Sequence, residues 1–231
     1  MNKIIIVKNL TKIYEGKIST LALDNINLEI EDGYVYSIYG QSGSGKTTLL
    51  NMLGCLDSPT SGEIIIDNQN INNLDQKELA DFRNKKIGFI FQFHYLIPEF
   101  NILENILMPF YISKSKIKNV NEAKSKAIEL AKITDIEDIL FKYPDYVSGG
   151  QRQRAAICRA LINEPKIVLA DEPTGNLDSK NTEIIINLFM KINKIKKTTF
   201  LIVTHNEKIA NNCKEKIELR DGKIFNITKN Y

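Results

Sequence analysis

Residues 40–47 read GQSGSGKT and directly follow the apolar, aromatic stretch YVYSIY at residues 34–39. The stretch predicts a buried strand, and the sequence KTTLLNMLG, which begins at Lys46, predicts a helix. The three glycines allow backbone conformations in which successive N–H groups point at one anion. The spacing G-x-x-x-x-G-K-[ST] is typical of a loop that cradles phosphates, and the helix would direct its positive N-terminus at the same charge. The sequence therefore predicts a nucleotide phosphate site between a strand and a helix.

The polar residues of this phosphate loop, residues 40–48, have distinct predicted roles. Lys46 would reach the β and γ phosphates, and Thr47 would offer its hydroxyl to Mg²⁺. A flexible glycine turn is the alternative, and the flanking strand and helix argue against it. The predicted phosphate-binding residues are Gly40, Gln41, Ser42, Gly43, Ser44, Gly45, Lys46, Thr47 and Thr48.

Strand and helix patterns alternate around the phosphate loop. Strand-like runs open the chain, the part from about residue 93 to 161 reads as helices, and strands return with KIVLAD and TFLIVTH. The chain closes with a hairpin that turns at Asp221 and Gly222. We therefore predict an α/β fold with a mostly parallel sheet and the ligand at the carboxyl ends of its strands. The helical middle is interpreted as an insertion.

Two acidic residues follow the apolar strand KIVLAD. Asp171 would hold Mg²⁺ through its water shell, and Glu172 would lie beside the γ phosphate and orient or deprotonate the attacking water. An Asp-Glu pair after a strand is common, so the pair supports this site only together with the phosphate loop. His205 follows another strand and could bond the γ phosphate, although a single histidine is more often structural.

The sequence VSGGQ at residues 147–151 resembles a second anion-binding turn. Ser148 can cap the following helix, and Gly149 and Gly150 let backbone N–H groups approach an anion. An ordinary helix cap with a glycine turn is the alternative.

The composition is ordinary for a globular protein of 231 residues, with 43% hydrophobic and 26% charged residues. The net charge is +3 and the basic residues are spread along the chain, so we expect no nucleic-acid partner. The three cysteines lie far apart in sequence, which fits a reducing compartment. No run approaches the roughly 18 apolar residues of a membrane span. We expect a cytoplasmic protein that reaches a membrane through a partner.

The motifs GQSGSGKT, VSGGQ, VLADEP, GNLD and VTH, together with Gln92 at the end of a strand, occur in the order and spacing of ABC-transporter nucleotide-binding domains. The whole chain resembles that family. The resemblance implies a single domain with a P-loop NTPase core, an N-terminal antiparallel β subdomain and an inserted α-helical subdomain. Residues 1–92 and 162–231 would form the β subdomain and RecA-like core, and residues 93–161 the helical subdomain.

The resemblance also implies that ATP and Mg²⁺ lie between two antiparallel copies of the chain. Each copy would give its signature segment, residues 147–151, to the site of the other. Gln92 would contact the metal and the attacking water, Asp178 would link the two sites, and Tyr14 would stack on adenine. Valine at 147, where leucine is usual, and threonine at 47 are mild departures. The implied catalytic residues are Glu172, His205, Gln92 and Lys46, the metal ligands are Thr47, Gln92 and Asp171, and the further nucleotide contacts are Tyr14, Ser148, Gly149, Gly150, Gln151 and Asp178.

Two longer stretches, residues 81–110 and 170–181, resemble LolD-type ATPases, which energise release of lipoproteins from the inner membrane toward the outer membrane. MacB-type efflux ATPases and FtsE-type ATPases, which gate a cell-wall partner, stay open as alternatives, and His94 favours the LolD type. The apolar loop Phe93–Phe100 is predicted to dock integral membrane permease subunits of the LolC/LolE kind, with a buried hinge as the alternative. The protein would then be peripheral, at the cytoplasmic face of the inner membrane.

Overall fold

The computed structural model describes residues 2–112 and 119–230, except for the side chain of Lys208. Strands and α-helices alternate along these residues. Their bounds are β1 Lys3–Tyr14, β2 Thr20–Glu31, β3 Val35–Tyr39, α1 Lys46–Leu53, β4 Ser61–Ile66, β5 Gln69–Asn70, α2 Gln76–Lys86, β6 Ile87–Phe91, α3 Ile102–Ile112, α4 Val120–Ile133, α5 Gly149–Leu161, β7 Ile167–Asp171, α6 Ser179–Lys196, β8 Thr199–Thr204, α7 Glu207–Asn211, β9 Glu215–Arg220 and β10 Lys223–Lys229.

The strands form two sheets. The first is antiparallel, with the order β2-β1-β4-β5. The second has the order β10-β9-β3-β8-β7-β6 and is parallel except for the hairpin of β9 and β10 at its edge. The carboxyl ends of β3, β6, β7 and β8 therefore meet at one edge of this sheet, where ligands of such folds bind.

The parallel sheet is covered on both faces, which explains why its strands are almost continuously apolar. All six residues of β8 are buried and alternate between the two faces. Phe200 and Ile202 pack with helices α3 to α6, whereas Leu201 and Val203 pack with α1 and the antiparallel sheet. The helical middle of the chain thus shares a core with one face of the parallel sheet.

The predicted α/β architecture is confirmed, including the mostly parallel sheet, the N-terminal antiparallel sheet and the helical middle. The hairpin turns at Asp221 and Gly222 as predicted, and both residues have positive φ. The short helix α7 and the two-residue strand β5 were not predicted, because segments this short carry little periodicity. The exact subdomain boundaries at residues 93 and 161 stay a prediction. Within the described ranges, no helix combines the length and apolarity needed to cross a bilayer.

Candidate nucleotide site

The phosphate loop connects β3 to α1 and needs glycine where the chain passes other backbone. A Cβ on Gly40 would lie 2.3 Å from the carbonyl oxygen of Leu219. Gly45 has a φ of 97°, and its Cβ would lie 2.6 Å from the carbonyl oxygen of Ala22. Any larger residue would therefore push the loop away from β2 and β9.

Lys46 is the first residue of α1 and is only 8% exposed. Its ammonium donates hydrogen bonds to the carbonyl oxygens of Gly40, at 2.8 Å, and Gln41, at 2.6 Å. The charge is thus held across the loop. Burial lowers the pKa of Lys46, and the nearby carboxylates of Glu172 and Asp171 oppose that shift.

Asp171 ends β7 and meets the phosphate loop at Thr47. The hydroxyl of Thr47 donates to Oδ1 of Asp171 at 3.4 Å. Burial raises the pKa of Asp171, with the Thr47 bond opposing and the Glu172 charge adding to the shift. A hydroxyl beside a carboxylate fits a hard cation such as Mg²⁺, which takes one or two protein ligands and completes its shell with phosphate oxygens and water. Residues 2–112 and 119–230 contain no cluster of three His, Cys, Asp or Glu side chains able to hold a metal.

Glu172 and His205 come from neighbouring strand ends and contact each other. Nδ1 of His205 lies 2.8 Å from Oε2 of Glu172. The Glu172 backbone has a φ of 46° and its N–H bonds the carbonyl oxygen of Val203. Such left-handed backbone at a non-glycine residue occurs preferentially at functional sites. The His205 side chain is 72% exposed, so a ligand can reach the pair.

Gln92 follows β6 and is held by a residue that the sequence did not single out. Its Nε2 donates to Oδ1 of Asn176 at 3.3 Å, and Nδ2 of Asn176 donates to the Gln92 carbonyl oxygen at 3.2 Å. Gly175 lies against this pair, because its Cβ would be 2.8 Å from Nε2 of Gln92. The signal for Asn176 was present in the GNLD motif, where only Asp178 received a role.

Several of these side chains line one open cavity of about 670 Å³, whereas Asp171 and Asn176 are not among its lining residues. The cavity contains Tyr14 of β1, much of the phosphate loop including Lys46, Thr47 and Thr48, and also Gln92, Glu172 and His205. Three residues at the start of β2, Thr20 to Ala22, line it as well. The sequence missed them because an exposed strand start has no distinguishing pattern. The side chain of Ser44 is buried in the loop, and its Oγ has no hydrogen-bond partner among the described residues.

The signature segment does not line this cavity, and neither does Asp178. Ser148 caps α5, with its Oγ accepting from the N–H of Gln151 and Oε1 of Gln151 accepting from the N–H of Ser148. Asp178 caps α6 and bonds both the backbone and the side chain of Asn181. Oδ1 of Asn181 would lie 2.5 Å from a Cβ on Gly150, so a larger residue there would require the Asn181 side chain to shift where the two helix starts meet.

Known proteins are similar to this chain in both sequence and architecture. Residues 23–175 match the model of the ABC transporter family. The chain is 45% identical, over 98% of its length and 99% of the relative, to the lipoprotein-releasing system ATP-binding protein LolD of Buchnera aphidicola subsp. Schizaphis graminum (strain Sg).

Solved structures of ATP-binding proteins have a fold similar to that of this chain. A dimeric post-hydrolysis structure of the ATP-binding cassette MJ0796 with ADP and Pi has a TM-score of 0.90 and 43% identity, covering 98% of this chain and 99% of that one. The cbiO1 protein of Clostridium perfringens has a TM-score of 0.88 and 28% identity, covering 100% of this chain and 90% of that one. The chain therefore belongs to the ABC transporter family, as an ATP-binding cassette with ATPase activity.

Proposed function

We propose that this chain hydrolyses Mg-ATP at the described cavity and that the energy drives release of lipoproteins from the inner membrane. Lys46 binds the β and γ phosphates, and Thr47 and Asp171, together with Gln92, hold Mg²⁺. When bound, the metal would supply positive charge beside the phosphates, and Thr47, Asp171 and Gln92 are the residues that would hold it there.

Glu172 is the group that takes the proton of the attacking water in this proposal. The contact with Nδ1 of His205 fixes the orientation of the carboxylate. Nε2 of the ring is left to donate to the γ phosphate when the imidazole carries both protons. Gln92 reaches the same space while Asn176 holds its side chain from behind. The arrangement provides a base, an orienting group and a phosphate clamp within one cavity.

A second copy of the chain completes the site. The signature segment offers N–H groups at the start of a 13-residue helix, but it lies outside the cavity of its own chain. An antiparallel pair with two-fold symmetry would bring each signature segment to the phosphates of the other chain. The dimeric MJ0796 cassettes, one of them with ADP and Pi, support this proposal.

One observation supports lipoproteins as the proposed substrate. The chain is similar over its full length, at 45% identity, to a lipoprotein-releasing ATP-binding protein. This similarity favours lipoprotein release over the MacB-type and FtsE-type alternatives. The chain would work as a peripheral subunit at the cytoplasmic face of the inner membrane, bound to permease subunits of the lipoprotein-releasing type.

The loop Phe93–Phe100 is the proposed docking surface for these permease subunits. Phe93 and Tyr95 are 60% and 65% exposed, whereas Leu96 packs against the core beside the helices. The segment thus contains exposed side chains, as a docking loop requires, and a packed side chain, as a buried hinge would have. Arg159 of α5 donates to the carbonyl oxygens of His94 and Tyr95, which fixes the loop on the helix that carries the signature segment.

The decisive experiment is reconstitution. The chain is combined with permease subunits of the lipoprotein-releasing type in proteoliposomes that contain a fluorescent lipoprotein, and release is followed after addition of Mg-ATP. We expect release that requires ATP and is lost with the Glu172→Gln variant. An active ATPase that assembles with the permease but releases no lipoprotein would contradict the proposed cargo.

A further inference from the structure

Tyr14 is held by side chains on the far side of α1 from the phosphate loop. Its phenolic O–H donates to Oδ2 of Asp57 at 3.1 Å. Asp57 lies in the segment that follows α1, and the helix begins at Lys46. Helix α1 has eight residues and is therefore about 12 Å long at 1.5 Å per residue. One short helix thus has the phosphate loop at its start and the support of Tyr14 after its end.

Asp57 also binds a cation that lies over the tyrosine ring. Nζ of Lys12 donates to Oδ1 of Asp57 and to the carbonyl oxygen of Ser58, both at 2.8 Å, and lies 4.8 Å from the centroid of the Tyr14 ring. The Lys12 side chain is only 12% exposed, so the ammonium is well enclosed. A cation at this distance over an aromatic face attracts the ring.

The backbone around Tyr14 is fixed by the same segment. The N–H of Ile13 donates to Oγ1 of Thr60 at 2.9 Å, and the N–H of Thr60 donates to the carbonyl oxygen of Thr11. Burial raises the pKa of Asp57, but hydrogen bonds from Lys12, Ser58 and Tyr14 lower it below its usual value in total. The aspartate is therefore ionised at neutral pH and is a strong acceptor.

Tyr14 is the aromatic side chain in the cavity that contains the phosphate loop, and it is 40% exposed. An aromatic ring at this place can stack on a base while Lys46 holds the phosphates. A half-exposed tyrosine without support would populate several rotamers, and binding would have to restrict them at an entropic cost. A hydrogen bond at the end of the ring and a cation over one face remove that freedom in advance.

We propose that Asp57 and Lys12 are positioning residues that hold the Tyr14 ring ready for the adenine base at a distance set by α1. The proposal rests on ATP binding at the described cavity. It distinguishes a base-recognition unit, formed by Lys12, Tyr14 and Asp57, from the phosphate-binding unit at the start of the same helix.

The test measures binding of two ligands to the full-length chain by calorimetry. A non-hydrolysable ATP analogue and inorganic tripolyphosphate are each titrated into the protein in the presence of Mg²⁺. Tyr14→Phe keeps the ring and removes only the O–H, and Asp57→Ala removes the acceptor. We expect each variant to weaken binding of the ATP analogue about 3- to 10-fold, as loss of one supporting hydrogen bond predicts, and to leave tripolyphosphate binding unchanged. Tyr111→Phe is the matched control, since Tyr111 is a similarly exposed tyrosine outside the cavity.

The double variant Tyr14→Phe/Asp57→Ala should bind the analogue no more weakly than Asp57→Ala alone, because both changes remove the same bond. Asp57→Asn, which keeps an acceptor oxygen, should recover part of the loss. Equal weakening for tripolyphosphate would show that Asp57 acts only on the fold of α1, and unchanged analogue binding in both single variants would equally overturn the proposal. A wild-type chain that binds tripolyphosphate but not the ATP analogue would instead contradict the proposed nucleotide site.

Discussion

The chain has two glycine-containing turns at helix starts, both of which we propose bind anions, and they differ in what surrounds them. The phosphate loop has a buried lysine across it and two carboxylates nearby. The cap of the signature segment contains neither a lysine nor a carboxylate. Instead, the side chains of Ser148 and Gln151 each accept a hydrogen bond from the other residue's backbone N–H. The first turn contains a complete set of binding and reacting groups, and the second provides only N–H donors.

This difference teaches that glycine and a helix N-terminus do not by themselves make a catalytic site. The charged groups that we propose bind and activate the nucleotide lie around the phosphate loop, so we expect the signature segment to function only when another molecule brings phosphates to it. The two turns are nevertheless connected within one chain. His94 lies two residues after Gln92. Its Nδ1 is 2.6 Å from Oε1 of Gln153 on α5, the helix whose start is formed by the signature segment.

The largest effect should come from Glu172→Gln. The variant keeps the phosphate contacts and loses the group that orients and deprotonates water, so we expect ATP binding and dimerisation to persist while turnover falls about 10²- to 10⁴-fold. Single-turnover hydrolysis and size-exclusion chromatography with ATP measure both properties. Glu63→Gln, an exposed glutamate on β4, is the control. Unchanged hydrolysis would remove Glu172 from this role.

The comparison of the two turns is tested most directly by Lys46→Ala and Ser148→Arg. Lys46→Ala should weaken ATP binding to the single chain about 10- to 100-fold, which corresponds to loss of a charged hydrogen bond of about 1.5–3 kcal/mol. Ser148→Arg should leave that binding within about twofold but abolish ATP-driven dimerisation, because a bulky cation would occupy the place of the partner's phosphates. Binding is measured by calorimetry on diluted protein and dimerisation by light scattering.

Ser148 also caps α5, so its replacement carries a structural cost of about 1 kcal/mol. Ser148→Ala removes the same cap without the bulk, and it should dimerise far better than the arginine variant. If Lys46→Ala and Ser148→Arg impaired binding to the single chain equally, the signature segment would belong to the same site as the phosphate loop, and the two-copy model would be wrong.

A smaller effect is expected at the loop that links the two turns. Phe93→Glu and Tyr95→Glu place a charge on the proposed docking surface. We expect permease-stimulated lipoprotein release to fall about 10-fold, which corresponds to loss of about 1.4 kcal/mol of apolar burial at about 25 cal/mol per Å². The ATPase activity of the isolated chain should change little. Phe225→Glu is the matched control, since Phe225 is 59% exposed and lies on β10. Normal assembly and release in both loop variants would refute the docking role.

The sequence predicted the fold and most of the cavity because the relevant residues follow strand ends or sit in a glycine loop, where local pattern and position coincide. The residue pattern alone could not place the signature segment outside the cavity, and only the family resemblance implied it, since that placement depends on how α5 packs against α6 at Gly150 and Asn181. The sequence did not reveal the roles of Asn176 and Asp57 because these also depend on tertiary contacts. Each acts through hydrogen bonds to residues at least 40 positions away in the chain, which no periodic pattern records.

The smallest predicted effect is on stability and comes from Asp171→Asn. Because burial raises the pKa of Asp171, the fold favours the protonated carboxyl, and the ionised form opposes folding as the pH rises through that raised pKa. The neutral amide avoids this cost, so without nucleotide or Mg²⁺ we expect the variant to melt about 1–3 °C above the wild type at pH 7. The two melting temperatures should converge when the pH is lowered from 7 toward 4, because the wild-type carboxyl takes up its proton as the pH falls through the raised pKa. With Mg-ATP present the order should reverse, since only the wild type gains the binding energy of a fully held metal. Calorimetric melts at both pH values, with and without Mg-ATP, measure all four differences. A variant that melts below the wild type at pH 7 without ligand would show that the Thr47 hydrogen bond and the Lys46 charge outweigh the cost of burying this carboxylate.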